Sequence, residues 1–196
     1  MTKTGDPAST DFVPVSDRVA VFDNDGTLWS EQPVYFQFMF ALDQAHAKAV
    51  ADPAWASSPI LQAAASGDMK TIMAGGESAL LEIVTATHSG MSVEAFTAEV
   101  ATWIATAKHP GTGKLYADTT FQPMLELLDY LRTNDYQTYI VSGGGVDFMR
   151  AFTETAYGVP PQNVISSLGK TSVQIVDGKP EVMKVAGIAF IDDKDG

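Results

Sequence analysis

The stretch Val19-Ala20-Val21-Phe22-Asp23-Asn24-Asp25-Gly26-Thr27-Leu28 decides the fold of this chain. It opens with four apolar residues, and a short continuous apolar run is typical of a strand that is buried on both faces. The Asp-Asn-Asp-Gly that follows is turn chemistry, so the strand is expected to end there. Asp23 and Asp25 are therefore predicted at the carboxyl end of a central parallel strand, where open α/β sheets bind their ligands.

Two carboxylates at a strand end suit covalent and acid-base chemistry. Asp23 can attack as a nucleophile while Asp25 gives and takes the proton. Two negative charges this close raise one pKa unless a cation is present, and Mg²⁺ would relieve the repulsion and attract phosphate. Gly26 permits a positive φ, and Thr27 can bond its hydroxyl back to the loop. A plain Asx turn that closes the strand is the alternative interpretation.

A second stretch that could bind a ligand lies at residues 136–157. Its apolar start, Tyr136 to Val141, predicts a strand that runs into Ser142-Gly143-Gly144-Gly145 and then into a helix from Val146 to Tyr157. A hydroxyl and free N–H groups at the beginning of a helix can bind an anion. Taken alone, the same residues fit a plain turn equally well, and the order of the two stretches along the chain favours the anion site.

Between the two stretches, no strand pattern appears from Pro33 to His109. Apolar spacing predicts helices at 34–50, 77–87 and 92–107, with short helical pieces between 54 and 76. A helical block of this length is too long for an ordinary crossover. We therefore expect an α/β core at 15–32 and 110–196 and a helical insertion at 33–109 that covers the site. The alternative is that these helices only complete the core.

Val21-Phe22-Asp23-Asn24-Asp25-Gly26-Thr27-Leu28 resembles the first motif, hhhDxDGT, of the haloacid dehalogenase-like superfamily, and Ser142 resembles its second motif. The resemblance implies a doubly wound parallel sheet with an inserted all-helical cap. It also implies Mg²⁺-dependent hydrolysis of a small phosphorylated metabolite, with Asp23 as the nucleophile that becomes an aspartyl-phosphate and Asp25 as the general acid and base. A helical cap directly after the first motif resembles the phosphoserine phosphatase-like branch, and a phosphorylcholine phosphatase-like enzyme is nearly as plausible.

The same resemblance assigns neighbouring residues to the substrate and the metal. Ser142 would hold the transferred phosphoryl group, and the loop residues that would contact the phosphate are Asn24, Gly26, Thr27, Gly143 and Gly144. Asp23 and the backbone carbonyl of Asp25 would bind Mg²⁺. Glu31, just past the first motif, would either select a positively charged substrate group such as an amine or choline, or be a solvated loop acid.

The family pattern also requires a phosphate-neutralising Lys and a later strand that ends in metal-binding acids, and the stretch Asp192-Asp193-Lys194-Asp195-Gly196 allows two interpretations. In the first, the chain is truncated, this stretch is a loop at the Lys motif with Lys194 as the candidate, and the acidic strand is missing. In the second, Ala189–Ile191 is the acidic strand, Asp192 and Asp193 are metal ligands, and Lys184 is the phosphate lysine. Too few residues separate Lys184 from Asp192 for the expected helix, which favours the first.

Composition narrows the function classes. A formal net charge of −12 over 196 residues argues against nucleic acids and anionic membrane surfaces as partners. The absence of cysteine excludes disulfides and thiolate chemistry. Residues 1–14 lack the apolar core of a signal peptide, so a cytoplasmic location is expected, with the periplasm left open. A missing sheet edge would invite pairing into a homodimer.

Two alternatives to an active enzyme remain. The chain could be catalytically incomplete and only bind phosphate or Mg²⁺, or it could be a non-enzymatic interaction module.

Overall fold

The structure is a computed structural model that describes residues 2–192. Four strands in this range form one sheet in the order β1-β2-β3-β4, with bounds Val19–Phe22, Gln137–Gly145, Val164–Val176 and Lys179–Phe190. The β1–β2 and β2–β3 pairs are parallel, and the β3–β4 pair is antiparallel. Helices flank this mostly parallel sheet, which confirms the predicted α/β fold class.

The described helices follow the chain as α1 Thr2–Gly5, α2 Phe36–Ala51, α3 Pro59–Ser66, α4 Met69–Ala74, α5 Gly76–His88, α6 Val93–Thr106, α7 Gln122–Thr133, α8 Val146–Arg150 and α9 Thr153–Tyr157. Six of them, α2 to α7, lie between β1 and β2 in the sequence, and the first five fall within 33–109, where the apolar spacing predicted helices. Ser92 caps α6 by accepting the N–H of Ala95 at 3.1 Å. Between residues 2 and 192, no helix has the length and apolarity needed to cross a membrane.

Helix α2 connects the inserted helices to the sheet because it is buried on two faces. Its Phe36 and Phe40 belong to a hydrophobic cluster that contains Ile140 of β2 and Phe148 of α8. Its residues Phe38, Ala41, Leu42 and Ala45 belong to a second cluster, formed with residues of α3, α4 and α5. The assignment of 33–109 to a separate cap domain stays a prediction, and the two clusters show that α2 packs on both sides of that proposed boundary.

Strand β1 differs from the expectation of a central strand buried on both faces. In the described sheet it is an edge strand that pairs with β2, and Val19 and Val21 are 49% and 58% exposed. Ala20 and Phe22, on the opposite face, are partly buried. An apolar run shows that its residues tolerate burial, but it carries no information on which neighbours cover them. The prediction of a central, doubly buried strand is therefore wrong for the part of the sheet that the structure describes.

The segment predicted as one helix over 146–157 is two short helices. Helix α8 ends at Arg150 and α9 begins at Thr153, with Phe152 between them at φ −137° and ψ −17°. The interruption places Phe152 in the hydrophobic core, where its ring stacks on Trp29 with centroids 4.5 Å apart. Core packing thus decides the local backbone here, and an apolar period gives no sign of it.

The Asp177-Gly178 pair is typical of a two-residue hairpin turn, and β3 and β4 form a long antiparallel hairpin around it. Asp177 and Gly178 have φ values of 48° and 78°, as a two-residue primed turn requires. The register continues from Val176↔Lys179 to Leu168↔Phe190, with irregularities near Gly169. Ala189 and Phe190 therefore belong to the antiparallel strand β4, and the interpretation of Ala189–Ile191 as a separate acidic strand of the core is wrong.

Substitutions in the buried strand β2 should lower the stability of the fold more than substitutions at exposed positions of the sheet. Ile140 is fully buried in the main cluster, so Ile140→Ala should lower the free energy of unfolding by about 2–5 kcal/mol. Val173 of β3 is exposed, so the matched change Val173→Ala should alter it by less than about 0.5 kcal/mol. Urea unfolding of the two variants beside the wild type measures both values, and equal losses would contradict this account of the core.

Candidate active site

The loop after β1 folds around the backbone carbonyl of Asn24. This oxygen accepts the N–H groups of Thr27 and Leu28 at 3.1 and 2.8 Å. Gly26 adopts a φ of 70°, and a Cβ at this position would lie 2.9 Å from the carboxylate carbon of Glu31. Both the backbone conformation and the proximity of Glu31 therefore require glycine here. Thr27 joins the loop through its N–H, and the predicted bond of its hydroxyl stays a prediction.

Asp25 is partly buried and accepts a hydrogen bond from the indole of Trp29. Trp29 Nε1 donates a hydrogen bond to Asp25 Oδ1 at 2.8 Å. Burial raises the pKa of Asp25 above its ordinary value, the Trp29 hydrogen bond opposes this, and the negative charges of Asp23 and Glu31 add to the increase. A carboxyl group whose pKa is raised keeps its proton closer to neutral pH, which suits a general acid.

Asn24 connects the two aspartates to α9. Its N–H donates to Asp23 Oδ1 at 2.8 Å, and its Oδ1 accepts the hydroxyl of Tyr157 at 3.1 Å. Burial raises the pKa of Tyr157 well above its ordinary value, and the charge of Asp25 raises it further, so the hydroxyl keeps its proton and remains a donor. The backbone carbonyl of Tyr157 in turn accepts from Arg132 Nη1 at 2.9 Å.

The two stretches singled out in the sequence meet at the carboxyl edge of the sheet. Phe22, the last residue of β1, pairs with Ile140, so Asp23 leaves β1 beside the part of β2 that contains Ser142. Ser142 is buried, and its hydroxyl accepts the N–H of Gly144 at 3.4 Å. A methyl group placed on Gly144 would lie 3.8 Å from Ser142 Oγ and 3.9 Å from Asp25 Oδ2. Because Gly144 has no side chain, Ser142 Oγ and Asp25 Oδ2 can both approach the small space beside it.

Gln37 of α2 is a site residue that sequence reasoning missed. Its Oε1 accepts the N–H of Gly145 at 2.7 Å, and a Cβ on Gly145 would approach its Nε2 to 2.6 Å. Gln37 therefore connects α2 to the end of β2, and its proximity requires glycine at position 145. The available signal was a single amide between Phe36 and Phe38 in an otherwise apolar first turn. Nothing in the sequence identifies the partner of that amide.

A cavity of about 970 Å³ opens at this edge of the sheet. Asp23, Asp25 and the glycines 143–145 at the end of β2 form one wall, and α2, α5, α6 and the β3–β4 hairpin form the others. Its apolar lining includes Phe38, Leu80, Val84, Phe96, Leu168 and Ile188. The volume is within the range of small-molecule sites and far exceeds that of a phosphate group, so it can hold a phosphate together with an organic substituent.

The wall away from Asp23 contains a buried ion pair. Lys184 of β4 pairs with Asp147 of α8, and its Nζ lies 4.5 Å above the ring of Phe96. Lys184 also bonds the α5–α6 connection through its backbone, donating to the carbonyl of Met91 at 2.8 Å. Lys184, considered above as a phosphate lysine, lines the same cavity, but its charge is already balanced by Asp147.

His88 lies beside this ion pair and is kept neutral. Desolvation, together with the positive charges of Lys184 and Lys48, lowers its pKa from 6.5 to about 3. Its ring packs against Phe40 and Phe96, with centroids 5.5 and 4.8 Å apart. Because a neutral imidazole is part of this packing, protonation of His88 must oppose the folded state.

The remaining predicted site residues lie near the C-terminal end of the described range. Asp192 donates its N–H to Ser167 Oγ at 3.0 Å, and its carbonyl lies 3.5 Å from a Cβ built on Gly143. Its Oδ2 is buried and accepts no hydrogen bond from residues 2–192. Asp193 and Lys194 fall outside the described residues, so their predicted roles as metal ligand and phosphate lysine stay predictions.

The described residues supply part of a site for the expected Mg²⁺. Asp23 and Asp25 offer carboxylate and carbonyl oxygens at one strand end. In residues 2–192, no group of three or more Asp, Glu, His or Cys side chains is placed to hold a metal ion. Mg²⁺ is usually bound by one or two carboxylates together with water and substrate phosphate. The chemistry of Asp23 and Asp25 fits this ion, and the fuller ligand set with Asp192 and Asp193 stays a prediction.

Comparison with protein families gives one match that spans most of the chain. The model of the haloacid dehalogenase-like hydrolases matches residues 20–192, which include both sequence motifs and the inserted helices. No curated protein matches the chain.

Comparison with solved structures gives matches from several bacteria. A protein of unknown function from Bordetella pertussis Tohama I is 19% identical, with a TM-score of 0.51 over 87% of this chain and 66% of that one. A phosphoserine phosphohydrolase-like protein from Francisella tularensis subsp. tularensis SCHU S4 is 15% identical, with a TM-score of 0.41 over 84% and 64%. A HAD family hydrolase from Salmonella enterica subsp. enterica serovar Typhi is 16% identical, with 0.38 over 87% and 45%. The chain spans less than two thirds of each, and the Bordetella protein shows a shared fold.

The neutral state of His88 predicts how stability depends on pH. Below pH 6.5 the unfolded chain binds a proton at this residue and the folded chain does not, so stability should fall with decreasing pH until about pH 3. Between pH 7.5 and 5, the wild type should lose about 2 kcal/mol more of its free energy of unfolding than His88→Leu. Urea unfolding at both pH values measures the difference. Equal losses in the two proteins would show that His88 takes up its proton without unfolding.

Proposed function

This chain belongs to the haloacid dehalogenase-like hydrolase family, and we propose that it hydrolyses small phosphomonoesters through an aspartyl-phosphate on Asp23. The observation that carries the proposal is the convergence of Asp25 Oδ2 and Ser142 Oγ beside Gly144, at the wall of a 970 Å³ cavity. A nucleophile, a carboxyl group with a raised pKa and a hydroxyl beside a run of glycines are parts that phosphoryl transfer uses.

In the first step, an oxygen of Asp23 attacks phosphorus as the bond from phosphorus to the ester oxygen breaks. The protonated carboxyl of Asp25 gives its proton to that oxygen, so the alcohol leaves as a neutral molecule. Ser142 and the N–H of Gly143 would face the non-bridging oxygens, with Gly144 beside them, and would stabilise their charge in the transition state. Asn24 keeps Asp23 oriented through its N–H.

In the second step, water attacks the phosphorus of the aspartyl-phosphate. Asp25, now a carboxylate, takes a proton from this water while the bond between phosphorus and Asp23 breaks. Inorganic phosphate leaves, and both aspartates return to their starting protonation states. The inserted helices and the hairpin surround the reacting groups, which limits access of bulk water.

Mg²⁺ would be held by a carboxylate oxygen of Asp23 and the backbone carbonyl of Asp25, and when bound it would neutralise charge on the phosphate. Such a cation suits this site because the described carboxylates Asp23, Asp25 and Glu31 lie close together. Asp192, with its buried Oδ2, is the candidate for a further ligand, direct or through water.

The proposed substrate is a small phosphorylated metabolite whose organic part occupies the apolar section of the cavity. Glu31 lines this cavity near the reacting carboxylates, so its charge would favour a cationic group on the substrate. Binding of phosphate or Mg²⁺ without turnover is the second candidate function, favoured by the absence of a three-ligand metal cluster in residues 2–192.

Substitution of the nucleophile separates these two functions. The wild type should release p-nitrophenol from p-nitrophenyl phosphate in the presence of Mg²⁺, and EDTA should stop the release. Asp23→Asn should lower kcat by more than about a thousandfold, because the amide cannot form the covalent intermediate. Asp11→Asn, which removes an exposed carboxylate of the N-terminal segment, is the matched control and should retain full activity. If Asp23→Asn hydrolysed the ester as fast as the wild type, the covalent mechanism would be wrong.

A further inference from the structure

We infer that Trp29 is a positioning residue that binds Oδ1 of Asp25 and thereby assigns proton transfer to Oδ2. The inference rests on the proposed phosphatase function and names a residue that acts through the general acid. A carboxyl group has two oxygens that exchange roles by rotation about the Cβ–Cγ bond. An acid that must protonate one leaving oxygen gains from a contact that fixes which of its own oxygens faces that atom.

The contact between Trp29 and Asp25 is built to be rigid. Trp29 is fully buried, its ring stacks on Phe152 at 4.5 Å, and Phe36 meets it edge-on at 4.7 Å. A buried indole N–H requires an acceptor, and this one donates to Asp25 Oδ1 at 2.8 Å. Because packing on two sides fixes the indole, its N–H fixes the oxygen that it binds.

The other oxygen faces the groups that would hold the phosphate. A methyl group on Gly144 would lie 3.9 Å from Asp25 Oδ2 and 3.8 Å from Ser142 Oγ. Asn24 Nδ2 approaches Oδ1 at 3.5 Å, on the same side as the indole. Both donors therefore bind Oδ1, which must accept through its lone pairs. The acid proton is then carried by Oδ2, the oxygen on the side of the substrate.

Asn24 is itself held from outside the loop. Its Oδ1 accepts the hydroxyl of Tyr157, so its Nδ2 is turned towards Asp25. Phe152, which stacks on Trp29, and Tyr157 both lie in the interrupted segment around α9. The break between α8 and α9 therefore supports the acid through two side chains, and this gives the break a role in positioning the site.

The consequence for the reaction depends on the leaving group. An aliphatic alkoxide needs the Oδ2 proton as the bond to phosphorus breaks, whereas p-nitrophenolate leaves without it. Loss of the Trp29 N–H should therefore slow hydrolysis of an alkyl ester much more than that of p-nitrophenyl phosphate. A purely structural defect would slow both esters by the same factor.

The test compares benzyl phosphate with p-nitrophenyl phosphate, two esters of similar size, in the wild type and in Trp29→Phe. Phenylalanine keeps a ring against Phe152 and lacks the N–H. The value of kcat/KM should fall at least roughly tenfold for benzyl phosphate and less than about threefold for p-nitrophenyl phosphate. Trp103→Phe is the matched control, since Trp103 Nε1 donates to Asp43 Oδ2 at 2.7 Å away from the carboxyl edge. It should change both esters equally.

A second measurement does not depend on turnover. The indole N–H resonances of ¹⁵N-labelled protein, assigned from Trp→Phe variants, should show that Asp25→Ala shifts the Trp29 signal upfield and leaves that of Trp103 in place. An unmoved Trp29 signal would overturn the inference because the bond would not exist. Equal losses for both esters in Trp29→Phe would overturn it as well.

The two measurements keep the inference and the proposed function apart. A wild type that hydrolyses neither ester contradicts the proposed function and, with it, the catalytic role of the contact, even where the resonance shift shows that the bond forms. Active wild type with an unselective Trp29→Phe contradicts the inference alone.

Discussion

The parallel pairing of β1 with β2 is the interaction on which the site depends. Phe22, the last residue of β1, lies opposite Ile140, so the loop that begins at Asp23 starts beside the part of β2 that contains Ser142 and the glycines. A shift of one residue would turn every side chain of the strand to the other face. The sheet therefore does more than support the loops, because its register decides that Asp25 and Ser142 meet beside Gly144.

Charge is the second constraint, since the edge of the sheet carries a cluster of carboxylates in a chain of net charge −12. Different neighbours compensate each of them. Trp29 and Asn24 donate to Asp25, and the N–H of Asn24 donates to Asp23. Lys184 neutralises Asp147 in α8, the helix that follows the glycines of β2. A phosphate approaching this edge meets local donors and not a positive overall field, which is why the proposed function includes a bound cation.

Local chemistry was predictable from the sequence, and the pairwise contacts that tune it were not. The Asp-x-Asp-Gly turn, the helices between β1 and β2 and the Asp177-Gly178 hairpin each follow from short-range preferences. The residues Ser142 to Gly145, predicted as a turn after a strand, instead continue β2 with an irregular register. The edge position of β1 and the break at Phe152 depend on neighbours that only the folded chain supplies. Gln37 was missed because the donor to its amide, Gly145, lies 108 residues away. Trp29 was missed although its acceptor, Asp25, is a near neighbour in the sequence, because the residue order does not show which way a buried indole turns. A buried polar side chain signals that a partner exists without naming it.

Identification of a covalent intermediate tests the central claim most directly. An aspartyl-phosphate is an acyl phosphate, which borohydride reduces to homoserine. Protein quenched during turnover of a phosphomonoester and treated with borohydride should contain homoserine at position 23 and an unmodified Asp25, as mass spectrometry of its peptides would show. Turnover with Asp23 unmodified, or homoserine at another aspartate, would contradict the account.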